Sequence, residues 1–318
     1  MNQKTRQIVL NIARLAISAG LLGWIVSQAG LKDLVETAQN ADPRPYFVAL
    51  LLMHLGIFVR AQRWRVLLEA VGVRLPFRRL AYLYFVGAFF NAFLPTGFGG
   101  DVVRVLEARG EAASHEAAGT VIVDRLTGFI AVFVFALVVL PFASGLLPAS
   151  TAWLIALMGS GVMAGSVLLF EGKLLRRLTA RLPRSLSLGG DAWVGQTYAV
   201  ITACGRRAIA GALFWSLVFA GMEITANILV ARALGLGASP WLFFLFVPVA
   251  VASLVVPISI SGLGVRENIF VFLLGQVGVL PPPALAFSLG SYSLDLAPGL
   301  VGGVIYFVAG FMGLRPKK

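Results

Sequence analysis

Two short segments interrupt the apolar runs of this chain with the same pattern, 162 residues apart. LPTGFGGDVVR occupies residues 94–104 and VPISISGLGVR occupies residues 256–266, and both read Pro-x8-Arg with a glycine at the same position. Backbone without regular hydrogen bonding is tolerated at membrane depth only where protein buries it or where it lines a wet cavity. Breaks at corresponding places in two halves of a membrane protein indicate a substrate site between repeats. We therefore expect the chain to fold around these two breaks.

The composition places this pair of breaks in a membrane protein. Hydrophobic residues make up 58% of the 318 residues and charged residues only 13%, whereas soluble domains carry about 25% charged residues. Apolar runs are distributed along the whole sequence, which leaves no room for a sizeable soluble domain. The sequence predicts an all-α integral membrane protein that forms one polytopic domain over residues 1–318.

The apolar runs predict about eight transmembrane helices, because about 20 apolar residues cross the hydrocarbon. Residues 8–28 follow a basic start without a clear cleavage site, so we interpret them as a first helix rather than a signal peptide. Two runs are short enough to be half-helix hairpins, namely 80–94 and 268–280. The other helices are expected near residues 45–60, 120–143, 151–170, 208–231, 241–256 and 284–313. Two repeat-like halves result, about 1–172 and 205–318, related by the re-entrant or broken-helix motifs.

The net charge of +12 comes from basic residues in the segments between apolar runs. Such clusters mark cytoplasmic loops, so the arginines from Arg60 to Arg79 and the basic segment 173–207 are expected inside. Both termini are then cytoplasmic, in an inner or plasma membrane. The same count puts Arg104 and Arg266 on one side, which argues against a simple inverted repeat and leaves the symmetry open. We expect no nucleic-acid partner.

The sequence gives no indication of a metal or a cofactor. One cysteine, Cys204, excludes an intramolecular disulfide and a cysteine-rich metal site. The two histidines, His54 and His115, lie far apart and have no ligand spacing around them. We expect neither a metal site nor a bound cofactor.

The two break arginines, Arg104 and Arg266, are the leading candidates for substrate binding. Guanidinium groups stay charged and offer paired donors to phosphate, and a helix N-terminus after each break would add N–H donors. The alternative is that both arginines reach the interface and anchor helix ends. Further candidate substrate-binding residues are Asn91, Gly99, Gly100, Gly262 and Gly264. The candidate structural breaks are Pro95 and Pro257.

Two carboxylates flank these arginines in the sequence. Asp101 is expected to cap the helix that follows the first break, with pairing to Arg104 as the alternative. Glu267 is expected to reach an aqueous loop.

Carboxylates inside predicted spans are candidates for gating or proton coupling, because a charge at a helix centre costs about 2.5–3.5 kcal/mol. Asp124 is expected to pair with Arg104 or Arg266, while its neighbour Arg125 points elsewhere around the helix. Glu223 shares a helix face with Asn227, and Asp295 precedes a Pro-Gly kink and is the best candidate proton carrier. The alternative for each is a buried salt bridge that only fixes helix packing.

Four ordered motifs resemble the lysylphosphatidylglycerol synthase transmembrane-region family, which includes the flippase-like membrane domain of the multiple-peptide-resistance proteins. They are RAQRWRVLL (60–68), NAFLPTGFGGDVVR (91–104), VIVDRLTGF (121–129) and PISISGLGVRE (257–267). The family would have Glu-Arg where this chain has Asp124-Arg125. The sequence has no counterpart of the soluble aminoacyl-transferring domain of bifunctional members. The resemblance therefore implies lipid translocation without lipid synthesis.

The expected function is movement of a lipid with an anionic, phosphate-bearing headgroup between leaflets, through a polar cavity and without an ATPase or transferase domain. Two alternatives stay open. One is a membrane enzyme that acts on a lipid phosphate, although no nucleophile–base pair is evident. The other is a non-catalytic partner of a lipid synthase or glycosyltransferase. The expected partners are a membrane lipid and either a second copy of the chain or a separate lipid-synthesising enzyme.

Overall fold

The computed structural model describes residues 20, 23–24, 27, 30–94, 99–108, 111–180, 188, 190, 192–254 and 262–311. Within these residues the structure is helical and contains no β-strand. The helices are α1 (Leu31–Gln39), α2 (Pro43–Ala70), α3 (Phe77–Phe93), α4 (Gly99–Glu107), α5 (Ser114–Ala143), α6 (Ala149–Glu171), α7 (Lys173–Thr179), α8 (Trp193–Ala203), α9 (Gly205–Ala233), α10 (Pro240–Ser253), α11 (Val265–Gly275) and α12 (Pro281–Phe311).

Five of these helices are long and apolar enough to cross a membrane: α2, α5, α6, α9 and α12. Helix α10 is apolar but shorter, and α3 has 17 residues. The all-α membrane class is thus confirmed, while the number of eight spans is not. Most of the predicted first helix, residues 8–28, lies outside the described residues, as do Pro95 and Pro257. The predicted short run 268–280 corresponds to α11, which has 11 residues.

Helix α2 is longer than predicted, and this changes the position of its arginines. Asp42 caps the first turn by accepting a hydrogen bond from the Arg44 N–H at 3.0 Å. No glycine or proline follows Arg60 until Gly72, so the helix continues to Ala70. Arg60 and Arg63 therefore lie within the helix, and Arg63 is buried. The prediction of a cytoplasmic loop at these two residues is wrong.

The order of helix lengths recurs along the chain. Helices α2 to α5 have 28, 17, 9 and 30 residues, and α9 to α12 have 29, 14, 11 and 31. The two sets also pack against one another in a related way. Helix α2 packs most extensively against α9, while α3 packs on α12 and α5 packs on α10. Helices α6 to α8 lie between the two sets in the sequence.

Glycines allow α3 to touch its neighbours backbone to backbone. A Cβ atom on Gly100 of α4 would lie 1.9 Å from the Gly87 carbonyl oxygen of α3. A Cβ atom on Gly302 of α12 would lie 1.8 Å from the Phe85 carbonyl oxygen. Such close approach between membrane helices requires small residues. These two contacts hold α3 between α4 and α12.

Candidate functional site

A cavity of about 260 Å³ lies among the long helices and reaches both break regions. Its polar lining includes five arginines and four carboxylates, and its walls are otherwise largely apolar. The predicted site residues that line this cavity are Asn91, Arg104, Asp124, Arg125, Glu223, Gly262, Arg266 and Asp295. The candidates Gly99, Gly100 and Gly264 are not part of its lining.

Asp124 on α5 is the centre of the first charged cluster and is only 1% exposed. Its Oδ1 accepts a hydrogen bond from Arg63 Nε at 2.6 Å, and its Oδ2 accepts one from the Tyr84 hydroxyl at 2.5 Å. The two Nη atoms of Arg104 lie 3.4 Å from the same Oδ2. Of the two partners predicted for Asp124, the structure places Arg104 beside it, but the closest cation is Arg63, which was not predicted.

Arg104 on α4 packs against two aromatic rings. Its guanidinium carbon lies 4.2 Å from the ring centre of Trp64 and 3.9 Å from that of Tyr84. This geometry gives cation–π attraction to both rings, and the residue is 4% exposed. The Trp64 ring is fixed in turn by a hydrogen bond from its Nε1 to the Thr120 hydroxyl at 3.1 Å. Arg104 thus ties α4 to α2, α3 and α5.

Asp101 pairs with two arginines. Arg104 Nη1 donates to its Oδ1 at 3.2 Å, and Arg125 Nε donates to its Oδ2. The alternative expectation, pairing with Arg104, is therefore confirmed, and Arg125 is an additional partner. Adjacent residues Asp124 and Arg125 do point in different directions, toward α2 and α4 respectively.

Asn91 connects the end of α3 to the beginning of α4. Its side-chain oxygen accepts a hydrogen bond from the Gly100 backbone N–H at 2.7 Å. The amide side chain therefore satisfies a donor in the first turn of α4, where N–H groups lack a helical partner. Asn91 also lines the cavity, so one residue both fixes the first break and faces the polar space.

Arg266 on α11 is the centre of the second charged cluster. Its Nη1 donates to Asp295 Oδ2 at 2.9 Å, and its guanidinium carbon lies 4.8 Å from the ring centre of Tyr292. Arg266 is 5% exposed, whereas the Asp295 side chain is 48% exposed. The Nη2 atom of Arg266 is buried and has no hydrogen-bond partner among the described residues. This arginine therefore keeps a donor available.

The helix that follows the second break is capped by one of its own carboxylates. Gly264, with φ of 84°, donates its backbone N–H to Glu267 Oε2 at 2.6 Å. A positive φ of this size favours glycine. Glu267 is 0% exposed, so the expectation that it reaches an aqueous loop is wrong. Its carboxylate turns back to satisfy the N-terminus of α11 and lies 4.0 Å from Arg266 Nε.

Arg60 is a cavity residue that the sequence analysis missed. Its guanidinium carbon lies 4.7 Å from the ring centre of Phe219 and 5.6 Å from that of Tyr84. Within the described part of the chain it has no ion pair, and its Nε is buried without a hydrogen-bond partner. A helical interpretation of RAQRW would have placed Arg60, Arg63 and Trp64 on one face, because positions i, i+3 and i+4 share a side.

Glu223 faces the cavity from α9, opposite α2. Its helix neighbour Asn227 donates to the Glu223 backbone oxygen at 2.9 Å and accepts a hydrogen bond from the Ser291 hydroxyl at 2.8 Å. The predicted inward-facing polar stripe is therefore present. In the described residues the Glu223 carboxylate makes no hydrogen bond or ion pair, although Arg60, Arg266 and Asp295 lie within electrostatic range.

Most of the polar lining of the cavity consists of charged side chains. No group of three or more His, Cys, Asp and Glu side chains among the described residues could hold a metal ion. What the site offers is fixed positive charge and N–H donors beside apolar walls formed by residues such as Phe129, Val132 and Phe219. This combination suits a ligand that has both a charged and an apolar part.

Comparisons with known proteins agree on the family. The model of the lysylphosphatidylglycerol synthase TM region matches residues 11–312. A UPF0104 membrane protein of Pyrococcus horikoshii is 24% identical over 317 aligned residues, which cover 90% of this chain and 92% of that protein. No solved structure matches the chain significantly. Because the family model spans nearly the whole sequence, the chain belongs to the lysylphosphatidylglycerol synthase transmembrane-region family.

Proposed function

We propose that this member of the lysylphosphatidylglycerol synthase transmembrane-region family moves a lipid with an anionic, phosphate-bearing headgroup between membrane leaflets. The observation that carries the proposal is the 260 Å³ cavity, where five arginines and four carboxylates meet inside an apolar bundle. Ionised groups at membrane depth cost about 2.5–3.5 kcal/mol each. Their concentration around one cavity therefore points to a polar substrate.

The two breaks would supply the route for the headgroup. Each break separates a helix from a short helix that carries an arginine, α3 from α4 and α10 from α11. We interpret both as re-entrant or broken-helix motifs at the interface of two repeats, in a chain of about eight spans. The recurring order of helix lengths and the related packing of the two sets support this interpretation. In this arrangement the headgroup crosses through the cavity while the tails stay in the lipid.

The contacts suggest different roles for the two predicted arginines. Arg104 is already held by two carboxylates and two rings, so we assign it mainly to shaping the cavity beside the first break. Arg266 keeps an unpaired Nη2 donor and is the better candidate for direct contact with a phosphate oxygen. Charge-assisted hydrogen bonds from a guanidinium to phosphate are among the stronger polar contacts in proteins.

Transport would be downhill or coupled to protons. The sequence contains no P-loop, so we expect no direct use of ATP. Glu223 and Asp295 both face the cavity and are the candidate proton-coupling groups. We place the protein in a cell membrane with both termini on the cytoplasmic side, following the basic segment 173–207.

Reconstitution into vesicles tests the function directly. Purified protein in liposomes should accelerate loss of fluorescence when dithionite is added to tail-labelled phosphatidylglycerol, because lipid from the inner leaflet becomes accessible. Arg266→Ala should slow this exchange. Arg65→Ala is the matched control, since Arg65 forms an exposed pair with Glu69 at 2.8 Å.

If the wild type moves no lipid across a panel of headgroups, the role of a partner to a lipid-synthesising enzyme becomes the better explanation. Product formation from labelled lipid would instead support an enzyme.

A further inference from the structure

Two cavity groups of opposite charge lack a direct partner among the described residues, and they lie on the two helices that pack most closely. Arg60 on α2 lies over the faces of two aromatic rings, and its Nε is buried without a hydrogen bond to the described residues. Glu223 on α9 is partly buried and makes no side-chain hydrogen bond or ion pair. Charged groups inside a protein are normally paired, so an unpaired couple in a cavity indicates a site for a ligand.

The remaining carboxylates of the site are each engaged. Asp101 is held by Arg104 and Arg125, and Asp124 by Arg63, Tyr84 and Arg104. Asp295 is held by Arg266, and Glu267 by the Gly264 N–H. Removing charge from any of these four would break an ion pair or a helix cap. Among the cavity carboxylates of the described residues, Glu223 alone can be protonated without breaking an ion pair or a helix cap.

The charges around the cavity balance when every group is ionised. The five arginines of the lining face Asp101, Asp124, Glu223 and Asp295, and the adjacent buried Glu267 completes five carboxylates. A headgroup with one negative charge would therefore leave one charge uncompensated in an apolar bundle, which is costly. One proton on Glu223 restores the balance, whereas a doubly charged phosphomonoester would still leave an excess.

We infer that the cavity binds one singly charged phosphodiester headgroup at Arg60 together with one proton at Glu223, so that lipid and proton cross together. This inference rests on the proposed function and specifies its substrate class and coupling. The proton enters from water on one side, binds the Glu223 carboxylate, and leaves to water on the other side with the lipid. No net charge moves in the cycle.

The charged and titratable groups that line the cavity with Glu223 come from several helices. They are Arg60 and Arg63 on α2, Tyr84 on α3, Asp101 and Arg104 on α4, Asp124 and Arg125 on α5, Arg266 on α11, and Tyr292 and Asp295 on α12. Helix α10, which also packs on α9, contributes no charged side chain. Arginines stay ionised at all relevant pH values, so protonation of Glu223 is the simplest way to change the charge of this set.

A pH gradient across vesicles of phosphatidylcholine tests the coupling in the wild-type protein. A trace of short-chain fluorescent phosphatidylglycerol is allowed to equilibrate, and the outer-leaflet fraction is measured as the portion rapidly extracted by albumin. If each lipid crosses together with one proton, the labelled lipid must accumulate in the leaflet that faces the alkaline side. With the interior one pH unit more alkaline, the outer fraction should fall from about half to about one-tenth, since a tenfold proton ratio balances a tenfold lipid ratio. Nigericin, which collapses the gradient, should return it to about half.

Variants separate the two roles. Glu223→Gln has the same shape without a titratable proton. Labelled lipid should therefore still equilibrate between the leaflets, but the pH gradient should no longer change its distribution.

Arg60→Gln should slow exchange at least about tenfold, because a charge-assisted hydrogen bond is worth about 1.5–3 kcal/mol. Arg60→Lys should restore part of the rate. Arg65→Gln on the same helix is the control. Phosphatidic acid, a phosphomonoester, should exchange more slowly after subtraction of the rate in protein-free vesicles.

The outcomes distinguish this inference from the function on which it rests. If wild-type protein equilibrates phosphatidylglycerol but the gradient leaves the outer fraction at half, proton coupling is wrong and the flippase function stands. If Glu223→Gln retains the bias, Glu223 is not the proton site. If phosphatidic acid exchanges as fast as phosphatidylglycerol, the assigned headgroup class is wrong. If the wild type exchanges no lipid at all, the proposed function fails together with the inference.

Discussion

Arg63 and Asp124 form an ion pair of 2.6 Å between α2 and α5, and both side chains are almost fully buried. The pair links two of the helices that are long and apolar enough to cross a membrane, and the Tyr84 hydroxyl and the Arg104 guanidinium contact the same carboxylate. This single carboxylate on α5 thus holds groups from three other helices. Arg104, on the helix that follows the first break, is tied to the rest of the bundle through this carboxylate.

Removal of this carboxylate should destabilise the protein strongly. Breaking a buried pair by deleting one partner costs about 3–5 kcal/mol, because the other charge stays buried. We expect Asp124→Ala to unfold at a clearly lower temperature in detergent, measured by fluorescence-detected size exclusion after heating. Glu69→Ala, which breaks the exposed pair with Arg65, should change the midpoint little. Equal midpoints for the two variants would contradict a structural role for Asp124.

The two contacts of Tyr84 can be tested apart from each other. Tyr84→Phe keeps the ring beneath Arg104 and removes only the hydrogen bond to Asp124, which we expect to cost about 1.5–3 kcal/mol. Tyr84→Leu also removes the cation–π contact, worth about 2 kcal/mol when desolvated, and should lower the midpoint further. The same heating assay ranks the variants. A phenylalanine variant as unstable as the leucine variant would show that the ring contact adds nothing.

Close packing of α3 on α4 predicts intolerance of even one methyl group. Gly100→Ala would place a Cβ 1.9 Å from a backbone oxygen, and backbone cannot move aside as a flexible side chain can. We expect loss of monodisperse protein on size exclusion. Gly161→Ala on α6 is the matched control, because nothing lies within 4 Å of its added Cβ and alanine favours helix. Normal yield from both variants would show that α3 and α4 do not touch as described.

Cys204, at the junction of α8 and α9, should react poorly with thiol reagents. Burial raises the pKa of its thiol to about 11, and the residue is 4% exposed. The thiolate is the reactive form, so at pH 7.5 nearly all of the thiol is protonated, and labelling should increase as the pH rises. Maleimide labelling followed by mass spectrometry should show little modification in native protein and complete modification in SDS. Gln39→Cys in a Cys204→Ser background provides an exposed thiol for comparison; equal native rates would exclude the buried position.

The sequence predicted the helical membrane class, which is confirmed, because apolar runs are a local signal. It also predicted a polar cavity with Arg104 and Arg266, and both residues line the cavity that the structure contains. Their role in binding a substrate stays a prediction. The partners of the charges are not local. Arg63 pairs with Asp124, which lies 61 residues later in the sequence, and no pattern of residue spacing predicts such a contact.

The positions of Arg60 and Arg63 in the cavity lining were missed for a related reason. A run of arginines after an apolar segment looks the same whether it leaves the membrane or turns into the bundle. Only partners on other helices, such as Tyr84 and Phe219, distinguish the two cases. The continuation of α2 beyond residue 60, to Ala70, was therefore established only by the structure.

The glycine contacts on both sides of α3 have a mechanical consequence. Where backbone touches backbone, at Gly87 with Gly100 and at Phe85 with Gly302, no compliant side chain remains to absorb sliding, so α3, α4 and α12 should move as one rigid body. The seam between α2 and α9 is different, because there the Phe219 ring covers Gly56 and a ring can rotate. The hinge for opening the cavity is thus expected at this seam. Spin labels on α3 and α12 should keep one fixed separation in every state, while labels on α2 and α9 should report two.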